Sequence, residues 1–494
     1  MRLSSRLKLM TVFSLFLIFV VGFTLFRFVS IPTHAAGTKA SITLSFTYGP
    51  PTSVVGVSGK GFKGGETVAL TFDSTQIKSV KASKTGSFSA TITVPSSALP
   101  GNHFVQGRGS SSGFFAQAAF LVQTDWVQQG FNREHTGYNV FENVLNTTNV
   151  SQLTQSWVYP NVTYSSVAIV ANNFAYIGCY GNTNYALCAF NATTGQLLWS
   201  YSTGNNIVST PAVASGLVYF GSPDGKLYAL NAATGQLVWS YATGFTINDT
   251  PLIANGLVYI GASNGVLYAL NGVTGHLVWK STFQSIFSTP SIDGGLLYVS
   301  AGGSLYALTS STGKIAWHVQ AQGGTPVIAN GIIYLSDTVD NKLLALKEQT
   351  GALLWSNTYP NSYATPSDPS VANGVVYITL QSACNLEALS ATTGAILWQY
   401  NSVDQTTCIE NTPAVANGVV YAGSSDDQDP DCYCSTVYML SAATGAVVGG
   451  IEEDSGDSPN GNDPIVVVNG TLYYSATGSV YAYHLPGTVS KKSA

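Results

Sequence analysis

The residues best suited to chemistry in this sequence are carboxylates that alternate along one short segment near the C-terminus. Asp427, Asp429 and Asp431 are each separated by a single residue. Carboxylate oxygens are the hard ligands that calcium prefers, so this segment predicts a calcium site. The alternative is a solvated acidic rim that holds no metal. We assign no catalytic residue to this or any other segment.

The second group with chemical potential is the six cysteines, an even number that is typical of disulfides in an oxidising compartment. Cys179 and Cys188 bracket a widened hairpin and predict one bridge. The remaining four predict two more bridges, with three pairings open: Cys384, Cys408, Cys432 and Cys434. Zinc or redox ligation by the Cys432-x-Cys434 pair is disfavoured because no histidine lies nearby.

Other chemistry is poorly represented. The six histidines form no pair at metal-binding spacing, and we interpret each as a surface or strand residue. Neither a Gly-x-Ser-x-Gly elbow nor a Walker-type loop occurs. Charged residues make up 9% of the chain and the net charge is −5. Without a basic field, nucleic acid is excluded as a partner.

A repeat positions these residues. The pattern Tyr-Ala-Leu-Asn-x-x-Thr-Gly-x-x-x-Trp occurs at Tyr228–Trp239 and Tyr268–Trp279, and other units match it in part. Its Thr-Gly turns recur every 38 to 51 residues: Gly195, Gly235, Gly275, Gly313, Gly351, Gly394 and Gly445. Each unit contains four short β-branched and aromatic runs separated by turn dipeptides. This repeated pattern of four strands and turns predicts an all-β fold in which every unit is one blade of a β-propeller.

The last unit lacks its fourth strand, and a strand before the first repeat, containing Trp157, matches the missing one. We therefore predict an eight-bladed ring closed by that strand, with seven blades as the fallback count. The tryptophans that follow the turns are expected to dock neighbouring blades, and Gly449 replaces the one expected in the seventh unit. The docking set is Trp157, Trp199, Trp239, Trp279, Trp317, Trp355 and Trp398.

The N-terminal part predicts export followed by a second fold. Residues 1–35 carry a basic start and an apolar run, typical of a signal peptide, although the run is also long enough for a membrane anchor. Residues 36–123 contain six or seven short alternating strands, which predict an Ig-like β-sandwich. A lead-in at 124–151, the propeller at 152–486 and a tail at 487–494 complete the chain. The sandwich phrases, such as Gly86–Pro95, resemble IPT/TIG-type modules of bacterial surface proteins.

The propeller units resemble the pyrroloquinoline quinone (PQQ) repeat, whose motif runs Ala-x-Asp-x-x-Thr-Gly-x-x-x-Trp. This chain has Asn at the Asp position, as at Asn231 and Asn271. The lead-in residues Asp125, Trp126, Gly130 and Asn132 are similar to the opening of quinoprotein alcohol dehydrogenases. For an enzyme the resemblance implies PQQ, calcium, a catalytic Asp and commonly an adjacent-cysteine disulfide, and this sequence has no Cys-Cys pair.

We therefore interpret the protein as an exported, non-catalytic scaffold, secreted or tethered to the cell surface. A protein or glycan partner is expected on the loop face of the propeller, with no cofactor other than calcium. The membrane is expected to matter only through an uncleaved N-terminus, and the chain is expected to be a monomer. The alternative is a calcium- and PQQ-dependent dehydrogenase that oxidises an alcohol or sugar.

Overall fold

The computed structural model describes residues 40–160, 168–180, 185–207, 209–286, 288–359, 365–380, 383–401, 407–409, 411–426, 434–454, 465–476 and 478–487. Within these ranges the regular structure is β-strand throughout, apart from one 3-10 turn at Val150–Gln152. The prediction of an all-β chain is confirmed.

The first eight strands form two sheets, of order β1-β3-β6 and β2-β8-β7-β4-β5, which share one apolar core. We call residues 40–122 the N-terminal sheet pair. Its strands are β1 (Ser41–Leu44), β2 (Tyr48–Gly49), β3 (Val54–Lys60), β4 (Thr67–Phe72), β5 (Thr75–Lys81), β6 (Phe88–Thr93), β7 (Gly101–Gly109) and β8 (Phe115–Val122).

The lead-in contains β9 (Tyr138–Asn139), and β10 (Thr154–Pro160) follows it, before a succession of antiparallel four-stranded sheets. The first two sheets are β11 (Ile169–Ala171), β12 (Phe174–Tyr180), β13 (Tyr185–Asn191) and β14 (Leu197–Ser202), then β15 (Ala212–Ala214), β16 (Leu217–Ser222), β17 (Lys226–Asn231) and β18 (Leu237–Ala242). The next two are β19 (Leu252–Ala254), β20 (Leu257–Ala262), β21 (Val266–Asn271) and β22 (Leu277–Thr282), then β23 (Ser291–Asp293), β24 (Leu296–Ala301), β25 (Ser304–Thr309) and β26 (Ile315–Gln320).

The later sheets follow the same plan with an enlarged seventh member. The fifth and sixth are β27 (Val327–Ala329), β28 (Ile332–Asp337), β29 (Lys342–Lys347) and β30 (Leu353–Thr358), then β31 (Ser370–Ala372), β32 (Val375–Leu380), β33 (Asn385–Ser390) and β34 (Ile396–Asn401). The seventh contains β35 (Thr407–Ile409), β36 (Ala414–Ala416), β37 (Val419–Asp426), β38 (Cys434–Ser441) and β39 (Val447–Asp454), with β9 beside β36. The last is β40 (Val466–Val468), β41 (Thr471–Ala476) and β42 (Ser479–His484), joined by β10.

The sheets form a closed succession. First strands of neighbouring sheets contact each other, β19 and β23 share one apolar cluster, and β40 contacts β11. The strand that the sequence assigns to closure, β10, pairs antiparallel with β42. Chain-terminal strands from opposite ends of the repeat thus complete one sheet, which leaves neither with an open edge on that side.

Burial explains the composition of each strand. In the second sheet, β16 and β17 are buried over nearly their whole length, whereas the fourth strand, β18, is largely exposed. The middle strands are covered on both faces by neighbouring sheets, so they read as continuous apolar runs rather than as alternating ones. The fourth strand lies at the rim, and only Trp239 and Tyr241 on it are half-buried.

Docking between sheets uses one repeated contact. A Cβ atom at Gly235 would lie 2.6 Å from the Trp199 ring of the preceding sheet, and Gly235 has φ of 70°. Glycine is therefore needed there both for the left-handed turn and for the close approach of the ring. Six docking tryptophans donate the indole N–H to a carbonyl of the next sheet: Trp157 to Ala192 (3.0 Å), Trp199 to Ala232 (3.1 Å), Trp239 to Gly272 (2.8 Å), Trp279 to Ser310 (2.8 Å), Trp355 to Ala391 (3.0 Å) and Trp398 to Ala442 (3.0 Å).

A tyrosine on the second strand of the same sheet reinforces this contact. The Tyr219 hydroxyl donates to the Gly272 carbonyl at 3.2 Å, and this carbonyl also accepts from Trp239. The remaining docking tryptophan, Trp317 of the fourth sheet, differs, because its indole N–H has no hydrogen-bond partner among the described residues. There Tyr298 donates to the side chain of Glu348.

The junction between the seventh and last sheets explains the missing tryptophan. A Cβ atom at Gly449 would lie 3.1 Å from the backbone nitrogen of Ser151, in the 3-10 turn. Val150 of that turn and Leu145 are buried in the same cluster as Tyr421. The end of the lead-in thus lies where an indole ring packs at the other junctions, and a side chain at position 449 would require it to shift.

We predict that Trp239→Phe lowers the free energy of unfolding by about 1 kcal/mol more than Trp317→Phe does. Both rings are partly buried on equivalent strands, but only Trp239 donates a hydrogen bond. Urea unfolding of both variants measures the difference. Equal losses of stability would show that the indole hydrogen bond contributes nothing to docking.

Candidate functional site

The axis of the propeller is crossed by the lead-in, which hydrogen-bonds to the first strands of the sheets in chain order. First strands face the axis with an open edge, and their unpaired N–H groups need acceptors. The middle residue of each first strand makes the contact. Six of them donate to the lead-in: Val213 to Val127 O (2.7 Å), Ile253 to Gln128 Oε1 (3.3 Å), Ile292 to Arg133 O (3.0 Å), Ile328 to Glu134 O (2.9 Å), Val371 to Thr136 O (2.8 Å) and Val415 to Gly137 O (2.9 Å).

The two remaining sheets complete the series. Val170 of the first sheet exchanges two backbone hydrogen bonds with Trp126. In the last sheet, the carbonyl of Val467 accepts from the side chain of Asn139 at 2.8 Å. One segment of the chain, residues 126–139, therefore contacts every sheet of the ring.

Local sequence shapes the centre of this segment into a compact loop. Gly137 N donates to Gly130 O at 2.9 Å, and Asn132 accepts from the Thr136 backbone N–H at 3.0 Å. A Cβ atom at Gly130 would lie 2.8 Å from the Cα of His135, so this position requires glycine. These contacts give a physical reason for the lead-in motif noted in the sequence.

A chamber of about 30 Å³ lies beside this loop, on the side of the fifth, sixth, seventh and last sheets. Its polar lining includes His135 and Gln129 from the lead-in, Asp368 from the segment before β31, and Thr325 and Thr412. This volume is enough for water or a small ion but not for a larger molecule. No Lys or Arg is among its lining residues in the described part of the chain.

His135 is the buried titratable group of the chamber. The residue is 4% exposed, and its Nε2 lies 3.1 Å from the carbonyl of Pro290. Since a carbonyl only accepts, Nε2 carries the proton in the neutral ring. Burial lowers the pKa of His135 to about 4, against the opposing effect of the Pro290 carbonyl. The interpretation of every histidine as a surface or strand residue is wrong for His135, because the lead-in folds it into the ring.

Asp368 is the carboxyl group of the chamber. It stands where five of the other sheets have the Thr of a Thr-Pro pair, and its Oδ1 accepts from the Thr325 backbone N–H at 3.0 Å. Burial raises the pKa of Asp368, and the hydrogen bonds with Thr325 oppose this rise. A Cβ atom at Gly324 would overlap Oδ1, so the aspartate and the neighbouring glycine depend on each other.

The predicted calcium ligands Asp427, Asp429 and Asp431 lie outside the described residues, and the calcium site stays a prediction. In the described part of the chain, no group of three or more His, Cys, Asp or Glu side chains is arranged to hold a metal ion. The chamber was missed in the sequence because no spacing signal links His135 to Asp368. The one available signal was Asp in place of Thr before a proline.

The cysteines are placed in part. Cys179 and Cys188 form a disulfide across the hairpin between β12 and β13, with their Cα atoms 5.9 Å apart. Cys384 is also disulfide-bonded. The side chains of Cys408, Cys432 and Cys434 lie outside the described residues, so the pairing of these four cysteines stays open.

The chain matches the PQQ-repeat family whose description reads outer membrane protein assembly factor BamB. The match covers residues 151–250, 247–328 and 320–491. No curated protein matches the chain.

Solved structures resemble the propeller at low sequence identity. A quinohemoprotein alcohol dehydrogenase of Pseudomonas putida is 17% identical over 74% of this chain and 81% of its own, with a TM-score of 0.61. BamB of Moraxella catarrhalis is 17% identical over 67% and 99%, with a TM-score of 0.53. A europium-containing methanol dehydrogenase is 14% identical over 73% and 98%, with a TM-score of 0.61. At these identities the likeness establishes the propeller fold alone.

We predict that acid destabilises the protein through His135. The unfolded chain takes up a proton near pH 6.5, whereas the folded histidine does so only near pH 4. The neutral ring therefore contributes fully to stability above pH 6.5. Its contribution to the free energy of unfolding falls by about 3 kcal/mol as the pH is lowered from 6.5 to 4. Urea unfolding between pH 7 and pH 4 should show a smaller loss for His135→Gln than for the wild type.

His276→Gln is the matched control, because His276 is an exposed propeller residue. Comparing variants is necessary because burial raises the pKa of Asp249 to about 6, and this carboxyl acts in the opposite direction. The same pH dependence in His135→Gln and the wild type would refute the assignment.

Proposed function

The chain belongs to the PQQ-repeat family described as outer membrane protein assembly factor BamB, and from this we propose that its propeller is a non-catalytic binding scaffold. The description names an assembly factor, whose work depends on contacts with other molecules. The observation that carries the proposal is the size and lining of the axial chamber.

PQQ does not fit that chamber. Sites for small molecules of this kind enclose about 300 to 1,000 Å³, and the chamber measures about 30 Å³. A quinone with several acidic groups also needs cationic partners, and none lines the chamber in the described residues. The carboxyl group present, Asp368, accepts a hydrogen bond from the backbone N–H of Thr325. We derive no reaction through the quinone.

The loops support the same proposal. In the second to fifth sheets, where nearly every residue is described, short connections join the strands and no long insertion rises above the ring. Insertions of that kind are what would build a lid and a closed pocket. A surface of short loops is instead suited to contacts with a large partner.

The seventh sheet favours one sector of the loop face for that partner. Strands β37, β38 and β39 have eight residues each, whereas their counterparts in the second sheet have six. The extra strand β35 pairs with the far end of β37. In the sequence, the acidic segment and Cys432 lie between β37 and β38, and we propose that a protein or glycan partner binds at this extension.

The cellular setting is part of the proposal. Export rests on the basic and apolar pattern of residues 1–35, with the segment either cleaved or kept as an anchor. The residues that the structure describes include no helix long and apolar enough to cross a membrane. We propose a secreted or surface-tethered monomer whose N-terminal sheet pair separates the propeller from its attachment point.

Titration of the purified protein with PQQ and calcium tests the proposal. We expect no saturable quinone binding at tens of micromolar and no dye-linked alcohol oxidation, because the chamber that the described residues form is small and has no cation in its lining. Saturable binding with turnover would overturn the scaffold and establish the dehydrogenase alternative.

Calcium alone forms a second arm of the same experiment. Isothermal titration of the wild type and of Asp427→Asn/Asp429→Asn/Asp431→Asn tests the predicted calcium site. Calcium binding that the triple variant loses supports the site. The absence of binding would leave these residues as an acidic rim and would not affect the scaffold.

A further inference from the structure

The N-terminal sheet pair exposes aromatic rings on the outer face of its larger sheet. Along β7 and β8, alternate residues such as Val105 and Phe120 are fully buried. The intervening residues point away from the core. Of these, Phe104 is 40% exposed and Phe115 is 45% exposed, and Tyr48 on β2 is 51% exposed.

Strand register places these rings and several amides on one surface. Tyr48 pairs with Leu121, Phe104 with Ala119, Gln106 with Gln117 and Arg108 with Phe115. Partners in a β-sheet project to the same side. We call this surface the aromatic face; it comprises Tyr48, Asn102, Phe104, Gln106, Arg108, Phe115 and Gln117.

The spacing of the rings suits an extended ligand. With about 3.4 Å per residue and about 4.8 Å between strands, Phe104 lies about 12 Å from Tyr48 and about 14 Å from Phe115. The small side chain of Ala119 and the amides of Gln106 and Gln117 lie between them. The surface between the rings therefore carries small and polar side chains. A ligand that covers all three rings must be longer than a single sugar.

The charges of the face do not favour a polyanion. Arg108 is the cation of the face; it pairs with Phe115 at one end, and its guanidinium lies 5.8 Å from the centre of that ring. Asp73, a carboxylate beside Phe104, accepts from the Phe104 backbone N–H at 3.0 Å and contacts His103 at 2.7 Å. A polyanion needs several clustered cations, and this face offers only Arg108 among the described residues.

We propose that the aromatic face binds a neutral polysaccharide. The apolar faces of hexose rings stack on Tyr48, Phe104 and Phe115. The amides of Gln106, Gln117 and Asn102 both donate and accept hydrogen bonds, as sugar hydroxyls do. Stacking covers ring area that water otherwise hydrates at a cost in free energy. This site is separate from the propeller and does not depend on its function.

Retention of the full-length protein on microcrystalline cellulose, chitin and mannan tests the proposal, with alginate as the charged polymer. The wild type should bind at least one neutral polymer and should not bind alginate. Tyr48→Ala, Phe104→Ala and Phe115→Ala should each weaken binding by about tenfold, and the triple variant should abolish it. Glucose should not elute the protein, because one sugar covers only one ring.

Phe245→Ala is the matched control, since Phe245 is 50% exposed but lies on the propeller. It should bind like the wild type. Thermal unfolding of every variant checks the fold, and the single variants remain informative if the triple variant is unstable. Failure of the wild type to bind any neutral polymer, or equal binding by the triple variant, would overturn the proposal.

Discussion

The architecture depends on hydrogen bonds between the lead-in and the inner edge of every sheet. A ring of separate sheets leaves one unpaired strand edge per sheet facing the axis, and buried N–H groups without acceptors are costly. Residues 126–139 supply an acceptor or a donor to each sheet in turn, from Val170 in the first to Val467 in the last. The same segment encloses the chamber and buries His135, so closure of the ring and the electrostatics of its centre have one origin.

Contacts at the rim complement this central segment. Each docking ring packs on the glycine turn of the next sheet, and a tyrosine and a tryptophan share one carbonyl, as Tyr219 and Trp239 share that of Gly272. Departures from the pattern have local causes. At Gly449 the lead-in fills the space of the ring, and at Trp317 a glutamate side chain engages the neighbouring tyrosine. Docking therefore tolerates exchange of individual residues when another group fills the volume.

The sequence predicted the repeated parts of the fold and not the unrepeated ones. Thr-Gly turns and alternating runs report local geometry, so the four-stranded units, the closing strand β10 and the docking tryptophans could be read directly. Burial of His135 depends on where the lead-in crosses the ring, and no local pattern encodes that crossing. The close approach of Asp368 to Gly324 brings together residues from different repeat units, so it could be recognised only in the folded structure. The aromatic face likewise required strand register, because Tyr48 and Phe104 are far apart in sequence.

The two surfaces that we propose for large partners, on the seventh sheet and on the N-terminal sheet pair, lie away from the centre of the ring. The central claim is that the lead-in is an integral part of the ring of sheets. Hydrogen exchange followed by mass spectrometry on the full-length protein tests the claim most directly, by comparing peptides within 126–139 with peptides that contain β15 and β27. Equally slow exchange in the lead-in and the first strands is the predicted result. Rapid exchange of the lead-in while the first strands stay protected would show that the ring closes without it.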